Sequence, residues 1–375
     1  MKLNMIKKTN AARLIPRRLD LLVLAASLAV VSIPASAKDH PKIDGYLQTN
    51  LVSNLPGIAL TQDTDLVNPW GISFSATSPF WISDNGTALS TLYAVTNDAA
   101  GSPSVVKQGL RVTIPGAGVP TGQLFNSTTG FNGDLFIFAG EDGTISGWRP
   151  ALGTAAELLA SRSNAVYKGI TLVTNMGTPL LVLANFSEGT VDVYDTNMVL
   201  TQFADMKAPD GYAPFNVQNI DGMIFVTFAK QDADKVDDVA GDGNGLIDVF
   251  DLKKGKFHRF ATGSDAGGHL DEINSPWGVA LSPKGFGKHK DELLVGNFGS
   301  GTIMVFNAGG HFQGFLEDTD GNPISISGLW GLAFGNGGKA GVPDSLYFTA
   351  GLNGEADGLF GSIVPVPKQS NKHGN

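Results

Sequence analysis

Short apolar runs recur along the chain, and each is bounded by glycine, asparagine or aspartate, which predicts β-strands joined by tight turns. The pattern is clearest over residues 274–306. Strands are predicted at 274–281, 292–298 and 302–306, with polar or glycine-rich turns between them. Three such strands make up most of one four-stranded antiparallel sheet.

The same phrase repeats through the chain. Asn274-Ser275-Pro276-Trp277-Gly278 is echoed by Asn68-Pro69-Trp70-Gly71 and by Gly328-Leu329-Trp330-Gly331. With three weaker copies, the first strands of the units begin near residues 70, 123, 169, 216, 277 and 330. A propeller blade takes roughly 40 to 50 residues, so each unit is one blade with loop insertions. The chain is therefore predicted to be an all-β, six-bladed β-propeller with four-stranded antiparallel blades.

The two ends of the chain are predicted to meet in one blade. The last unit, from Gly328, ends near Ile363 and lacks an outermost strand, whereas residues 46–52 alternate apolar and polar positions like a strand. Residues 46–52 would complete the last blade and close the ring. The propeller is assigned to residues 38–364, and the polar, proline-containing tail 365–375 is predicted to be disordered.

Residues 1–37 read as a secretory signal peptide. Six basic residues precede an apolar core at 21–33, and Ala35-Ser36-Ala37 fits a small-residue cleavage site. The core of 13 residues is shorter than the roughly 20 that a membrane span needs. We expect a periplasmic or extracellular monomer with no membrane span after cleavage.

The charge of the chain restricts its possible partners, and its lack of cysteine restricts how the fold is stabilised. Cleavage would remove six basic residues and Asp20, so the formal net charge of −9 would become −14. Such an acidic chain disfavours nucleic acid or an anionic membrane as a partner. Because the chain has no cysteine, its fold must be held by core packing without disulfides.

Propeller geometry places two sets of loops on one face, which we call the polar face. These are the loops that lead into each first strand and the loops that join the second and third strands. A channel mouth with convergent polar groups is the default binding site. The candidate ligand-binding residues on this face are Asn68, Trp70, Asp84, Asn185, Asn216, His269, Asn274, Trp277, Asn297 and Trp330.

Each candidate also has a structural interpretation. Asparagine before proline forms turns, as at Asn68. The three tryptophans would pack between blades near the channel, and Asp84, Asn185 and Asn297 would cap their corners. His269 has no neighbouring histidine or cysteine with metal-site spacing.

An acidic segment at 230–245 could bind calcium, with Asp232, Asp234 and Asp242 as candidate ligands. Its spacing does not match the calcium-loop motif, so a solvated loop is the alternative. No motif of a serine, thiol, zinc or P-loop enzyme is found in the sequence. Two function classes therefore stay open.

The first class is a binding scaffold that presents the polar face to a small molecule, a carbohydrate or a protein. The second is a calcium-dependent hydrolase or lactonase with its site at the channel mouth. Six-bladed enzymes of that class hold calcium with Glu, Asn and Asp from several blades, a set that Asp84, Asn216, Asn274 and Asn297 would imitate. Asn68 stands where such enzymes have a glutamate.

Four phrases, at residues 140–148, 229–235, 274–278 and 358–363, resemble an uncharacterised family of secreted bacterial six-bladed propellers. That family is related to NHL-repeat propellers and is sometimes associated with PEP-type C-terminal sorting signals. The resemblance covers nearly all of residues 46–363. It implies the propeller fold and export, and it carries no established activity. The hydrophobic tail and basic anchor of the sorting signal are not found at residues 365–375.

Export gives the first testable prediction. If residues 1–37 direct secretion, N-terminal sequencing of the periplasmic or extracellular protein will begin at Lys38. Recovery of uncleaved protein from the membrane fraction would contradict it.

Overall fold

The computed structural model describes residues 43–98, 101–261 and 270–367. Six sheets are arranged as a ring, each with four antiparallel strands and one with a short parallel strand added at its edge. The protein is therefore a six-bladed β-propeller, as the repeat predicts. Within the described residues, no helix is long and apolar enough to cross a membrane.

Blades 1 to 3 follow one another in the chain, each running from an inner to an outer strand. Blade 1 comprises β3 Pro69–Ser73, β4 Phe80–Asp84, β5 Leu89–Asn97 and β6 Pro103–Thr113. Blade 2 comprises β7 Pro120–Phe125, β8 Phe136–Gly140, β9 Thr144–Trp148 and β10 Glu157–Ser161. Blade 3 comprises β11 Tyr167–Asn175, β12 Thr178–Asn185, β13 Thr190–Tyr194 and β14 Leu200–Phe203.

Blades 4 and 5 repeat this order, and blade 6 combines both ends of the chain. Blade 4 comprises β15 Tyr212–Ile220, β16 Met223–Lys230, β17 Gly245–Asp251 and β18 Lys256–Arg259. Blade 5 comprises β19 Pro276–Leu281, β20 Leu293–Asn297, β21 Ile303–Phe306 and β22 Phe312–Phe315. Blade 6 comprises β23 Leu329–Phe334, β24 Leu346–Gly351, β25 Asp357–Pro367 and β1 Ile43–Ser53, with β2 Thr61–Gln62 beside β1.

The connections contain only short helical turns. The described turns are the 3₁₀ turns Asn85–Thr87, Phe131–Gly133, Pro150–Leu152 and Gly287–His289, and the single α-helical turn α1 Leu352–Glu355.

The predicted ring closure is confirmed. β1 pairs antiparallel with β25, from Tyr46 opposite Pro365 to Val52 opposite Phe360. This pairing replaces the open edge that blade 6 would otherwise expose. β25 continues to Pro367, past the expected end near Ile363, so the boundary assigned at residue 365 falls inside a strand. Residues 368–375 lie outside the described residues.

A ring of close backbone contacts surrounds the channel. Five blades have glycine at the same point of the inner strand, namely Gly71, Gly122, Gly169, Gly278 and Gly331. A Cβ at Gly278 would lie 2.5 Å from the carbonyl oxygen of Trp330, and one at Gly331 would lie 2.7 Å from that of Trp70. Each of the five meets the inner strand of the next blade in this way.

Blade 4 departs from the pattern by having Asn216 at this point. Its Nδ2 donates a hydrogen bond of 2.7 Å to the carbonyl oxygen of Trp277 in blade 5. The amide therefore joins the blades where elsewhere the backbones touch directly.

Substitution at this ring gives the second prediction. Gly278→Ala forces a methyl group against the backbone of blade 6, and overpacking of this kind costs about 1–3 kcal/mol. Gly109→Ala in β6 is the matched control, because a Cβ there meets no atom within 4 Å. Chemical denaturation will show a loss of stability for Gly278→Ala alone. Equal unfolding free energies for the two variants would show that the close backbone contact at Gly278 does not exclude a side chain.

Candidate functional site

An aromatic layer closes the channel beneath the polar face. In three blades, a tryptophan directly precedes the inner-strand glycine that touches the next blade. These tryptophans, Trp70, Trp277 and Trp330, are all nearly fully buried. The rings of Trp70 and Trp330 stack with centroids 3.5 Å apart, and Trp277 meets both edge-on. Phe298 stacks on Trp330 at 3.9 Å, and Phe215 packs beside it. The three tryptophans thus contact one another across the axis, as well as lying between blades.

A lysine takes the equivalent position in blade 3. The side chain of Lys168 is 1% exposed, and its Nζ lies 5.0 Å from the centre of the Trp70 ring. Nζ donates to Glu141 Oε1 and, at 3.2 Å, to Asp237 Oδ1. Burial alone would lower the pKa of Lys168, but the two carboxylates outweigh burial and hold this pKa above its ordinary value. The amine is therefore an ammonium ion at neutral pH and is not a nucleophile.

The ammonium ion belongs to a continuous chain of polar groups, which we call the mouth chain. It runs through Glu355, Asn68, Asn85, Glu141, Lys168 and Asp237. Asn68 Nδ2 donates to Glu355 Oε2 at 2.7 Å, and Asn85 Nδ2 donates to Glu141 Oε2 at 2.9 Å. These six residues come from five blades.

Asn68 and Glu355 both have an unusual backbone conformation at the point where they enter the mouth chain. Both have positive φ, 45° for Asn68 and 69° for Glu355, and Asn68 Oδ1 also accepts a bond from Trp330 Nε1 at 3.2 Å. Burial raises the pKa of Glu355, Asn68 opposes that shift, and the nearby Glu141 adds to it. Because Trp330 donates a hydrogen bond to Asn68, the mouth chain lies directly on the aromatic layer.

Three further asparagines are buried and bonded within the fold. Asn185 donates to Glu188 and Asp192, and Asn297 donates to the carbonyl oxygen of Glu272. Asn297 Oδ1 accepts from the backbone N–H of Asn274, whose own Oδ1 accepts from Gly241 N–H at 2.8 Å. These contacts correspond to the corner-capping interpretation, and Asn216 serves the ring as described above.

Asp84 directly precedes Asn85, but among the described residues its side chain has no hydrogen bond to the mouth chain. It ends β4 inside blade 1, is fully buried, and neither carboxylate oxygen has a hydrogen-bond partner in standard geometry among the described residues. Burial raises the pKa of Asp84 well above the usual range. Contact with Thr91 opposes that shift, and the charges of Asp63 and Asp65 add to it.

The candidate calcium ligands do not converge. Asp232 Oδ1 caps its own loop by accepting from Val236 N–H, and Asp234 and Asp242 are exposed. In the described part of the chain, no three histidine, aspartate or glutamate side chains form a metal-binding group. His269 falls in 262–269, which lies outside the described residues.

Sequence reasoning missed most of the mouth chain. The candidates did not include Asn85, Glu141, Lys168, Asp237 or Glu355, although Lys168-Gly169 aligns with Trp70-Gly71 in the repeat. A lysine at a position that is aromatic in four of the six blades is the signal that could have found the chain, because a buried ammonium requires nearby carboxylates.

Known proteins resemble this chain chiefly in fold. No family model matches the chain. Two uncharacterised proteins of Acanthamoeba polyphaga mimivirus are each 29% identical to it over 84% of its length, covering 78% and 84% of those proteins.

Solved structures of known and unknown activity share the architecture. Virginiamycin B lyase from Staphylococcus aureus matches at a TM-score of 0.51 and 11% identity, over 86% of this chain and all of that one. An auxiliary nutrient binding protein from Bacteroides ovatus gives 0.51 and 13%, over 86% of this chain and 77% of that one. A Bacteroides thetaiotaomicron protein of unknown function gives 0.52 and 10%, over 85% and 76%. At these identities, the comparisons establish the propeller fold and no activity.

Proposed function

We propose that the protein is an exported, monomeric binding scaffold that uses its polar face to hold a positively charged segment of another protein. The observation that carries this proposal is the mouth chain, in which five blades bring ionised and amide groups to one channel mouth. Propellers with unrelated activities use dispersed residues of this kind, so the site and not the fold supports the function.

The two faces differ sharply in charge. On the polar face, the loops between second and third strands carry one basic residue, Lys235, and the following acidic residues: Glu141, Asp142, Glu188, Asp232, Asp234, Asp237, Asp238, Asp242 and Glu355. On the opposite face, the loops between first and second strands carry Asp134, Asp221, Asp291, Glu292 and Asp344 together with Lys284, Lys288, Lys290 and Lys339. A face of one charge sign attracts partners of the other sign and speeds their association.

The shape of the polar face favours a macromolecule over a small molecule or a carbohydrate. The aromatic layer lies directly under the mouth chain, so a ligand meets a surface rather than a deep channel. The exposed carboxylates lie mainly on the long 231–244 loop, where Asp237 is 71% exposed although it contacts Lys168. A lysine- or arginine-rich segment would meet these carboxylates without displacing the buried residues.

A calcium-dependent hydrolase with its site at the same mouth is the alternative, because crowded carboxylates also attract a divalent cation. The residues fit that ion poorly. Glu141 and Asp237 already share the ammonium ion of Lys168, and no third carboxylate of the described residues completes a ligand set with them. The scaffold is therefore the function that the geometry supports better.

Binding of a fluorescein-labelled hexalysine peptide tests the proposal. Fluorescence anisotropy will show saturable binding that weakens as salt rises from low to physiological concentration. The triple variant Asp234→Asn, Asp237→Asn, Asp242→Asn will bind about tenfold more weakly, because three exposed charges are lost from the polar face.

The matched control is the triple variant Asp221→Asn, Asp291→Asn, Asp344→Asn, which removes three exposed charges from the opposite face. Both variants have the same net charge, so a non-specific attraction would weaken equally in both. Equal loss in the two variants, or no binding at all, would overturn the proposal. If calcium alone raised the melting temperature of the wild type but not of Glu141→Gln, the hydrolase alternative would replace it.

A further inference from the structure

The end of the channel opposite the polar face is an open cavity of about 380 Å³, bounded by the last residues of the inner strands. Inward it narrows to a void of about 30 Å³ at the glycine ring, lined by Asn216 and Trp277 among others. Because the aromatic layer fills the channel beyond that void, the cavity has one opening. Its volume lies within the range of small-molecule binding sites.

The accessible wall of this cavity is more polar than apolar, although none of the described residues that line it is charged. The inner strands contribute to this polarity through their backbone. Each inner strand pairs with a neighbour on one side only, so the N–H and C=O groups of its other edge lie outside the sheet and face the channel. The wall therefore offers both donors and acceptors of hydrogen bonds without carrying a charge.

Gln218 of β15 offers the cavity a free amide. It is partly exposed and lines both the cavity and the inner void. Neither polar atom of this amide has a hydrogen-bond partner among the described residues, and neither is sealed from solvent. The Gln123 amide, by contrast, donates to two backbone carbonyl oxygens of blade 1. A molecule in the cavity can therefore reach Gln218 both as a donor and as an acceptor.

Aromatic side chains line the part of the wall that lies across the channel from Gln218. Phe334, Phe74 and Phe125 come from blades 6, 1 and 2, which are consecutive in the ring, and each is partly exposed. Blade 1, in the middle of these, lies opposite blade 4, which carries Gln218. The cavity thus has an aromatic arc on one side and a free amide on the other.

We propose that this cavity binds a small neutral saccharide. A sugar ring carries hydroxyl groups around its edge, and each hydroxyl both donates and accepts hydrogen bonds, as the wall does. The faces of the sugar ring carry C–H groups, which pack against aromatic rings because the face of an aromatic ring is partially negative.

The same wall disfavours two other classes of ligand. An ionised ligand would meet no counter-charge there, which is unfavourable when its charge is desolvated. A purely apolar ligand would cover the backbone groups and Gln218 without giving them hydrogen-bond partners. The closed inner end of the cavity excludes a polypeptide that threads the propeller.

This site is separate from the polar face, because the aromatic layer lies between the two ends of the channel. The saccharide proposal does not rest on the scaffold function, and its tests use other residues and another class of probe.

Titration of the wild-type protein with the neutral methyl glycosides of glucose, galactose and mannose tests the class of ligand. We expect saturable binding of at least one of them by calorimetry or saturation-transfer NMR. Cyclohexylmethanol, which has a ring of similar size but a single hydroxyl group, will bind at least about fivefold more weakly, because it makes fewer hydrogen bonds. Absence of saturable binding by all of the glycosides, or equal or tighter binding of cyclohexylmethanol, would overturn the proposal.

Two matched variants test the location. Gln218→Met keeps an unbranched side chain of similar length but removes the amide, and it will weaken binding of the glycoside by about fivefold or more. Gln108→Met is the control, because Gln108 is also partly exposed but lies in β6, the outer strand of blade 1. Both variants will melt like the wild type. Unchanged binding by Gln218→Met, or equal loss in the two variants, would contradict the assignment to this cavity.

The polar-face variant Asp234→Asn, Asp237→Asn, Asp242→Asn separates this proposal from the scaffold function. It will bind the glycoside like the wild type, whatever its affinity for hexalysine. Loss of glycoside binding in this variant would assign the saccharide to the polar face and overturn the cavity as its site.

Discussion

The close contact between neighbouring inner strands is the constraint on which the rest of the structure depends. At Gly71, Gly122, Gly169, Gly278 and Gly331 the backbone of the next blade approaches too closely for any side chain. Six blades can meet around so narrow an axis only because one point on each inner strand is bare, or bridged by Asn216. The side chains before and after this point are consequently forced into the channel, above and below the ring.

The two ends of the channel differ because different residues stand on either side of the ring. On the polar side, three tryptophans, Phe215 and Lys168 fill the axis, and burial of that lysine requires the carboxylates of Glu141 and Asp237. On the other side, smaller aliphatic residues such as Ile72, Ile170 and Val279 line an open cavity of about 380 Å³. The same ring of backbone contacts therefore separates a mouth filled by aromatic and charged side chains from an open mouth whose described lining residues carry no charge.

The fold could be predicted because its signals are local and repeated. The Trp-Gly phrase recurs in the three blades whose repeats are clearest. The predicted strand at 46–52 had no partner of its own, and only the last blade lacked an outermost strand. The site could be predicted only in part. Asn68 lies in the mouth chain, but its partner Glu355 is 287 residues away, and only the closed ring brings the two together.

Physical reasons explain what the sequence concealed. Repetition marks tryptophans as important without showing whether they face a ligand or one another, and here they are buried by mutual stacking. The role of Gln123 is also invisible in the sequence, because its Nε2 donates to two backbone carbonyl oxygens of blade 1, those of Gly71 and Trp81. The difference between the two ends of the channel can therefore be recognised only when the side-chain positions are known.

The organisation of the mouth around the buried Lys168 ammonium ion is tested most directly by a double-mutant cycle in unfolding free energy. Glu141→Gln leaves a buried cation without its main partner. Lys168→Met keeps an unbranched chain over Trp70, and Glu141, whose side chain is 19% exposed in the wild type, keeps its access to solvent. We expect Glu141→Gln to be the more destabilising single change, the double variant to recover most of that loss, and a coupling energy of about 1–3 kcal/mol. Additive effects, with coupling below about 0.5 kcal/mol, would contradict a mouth organised around this buried charge.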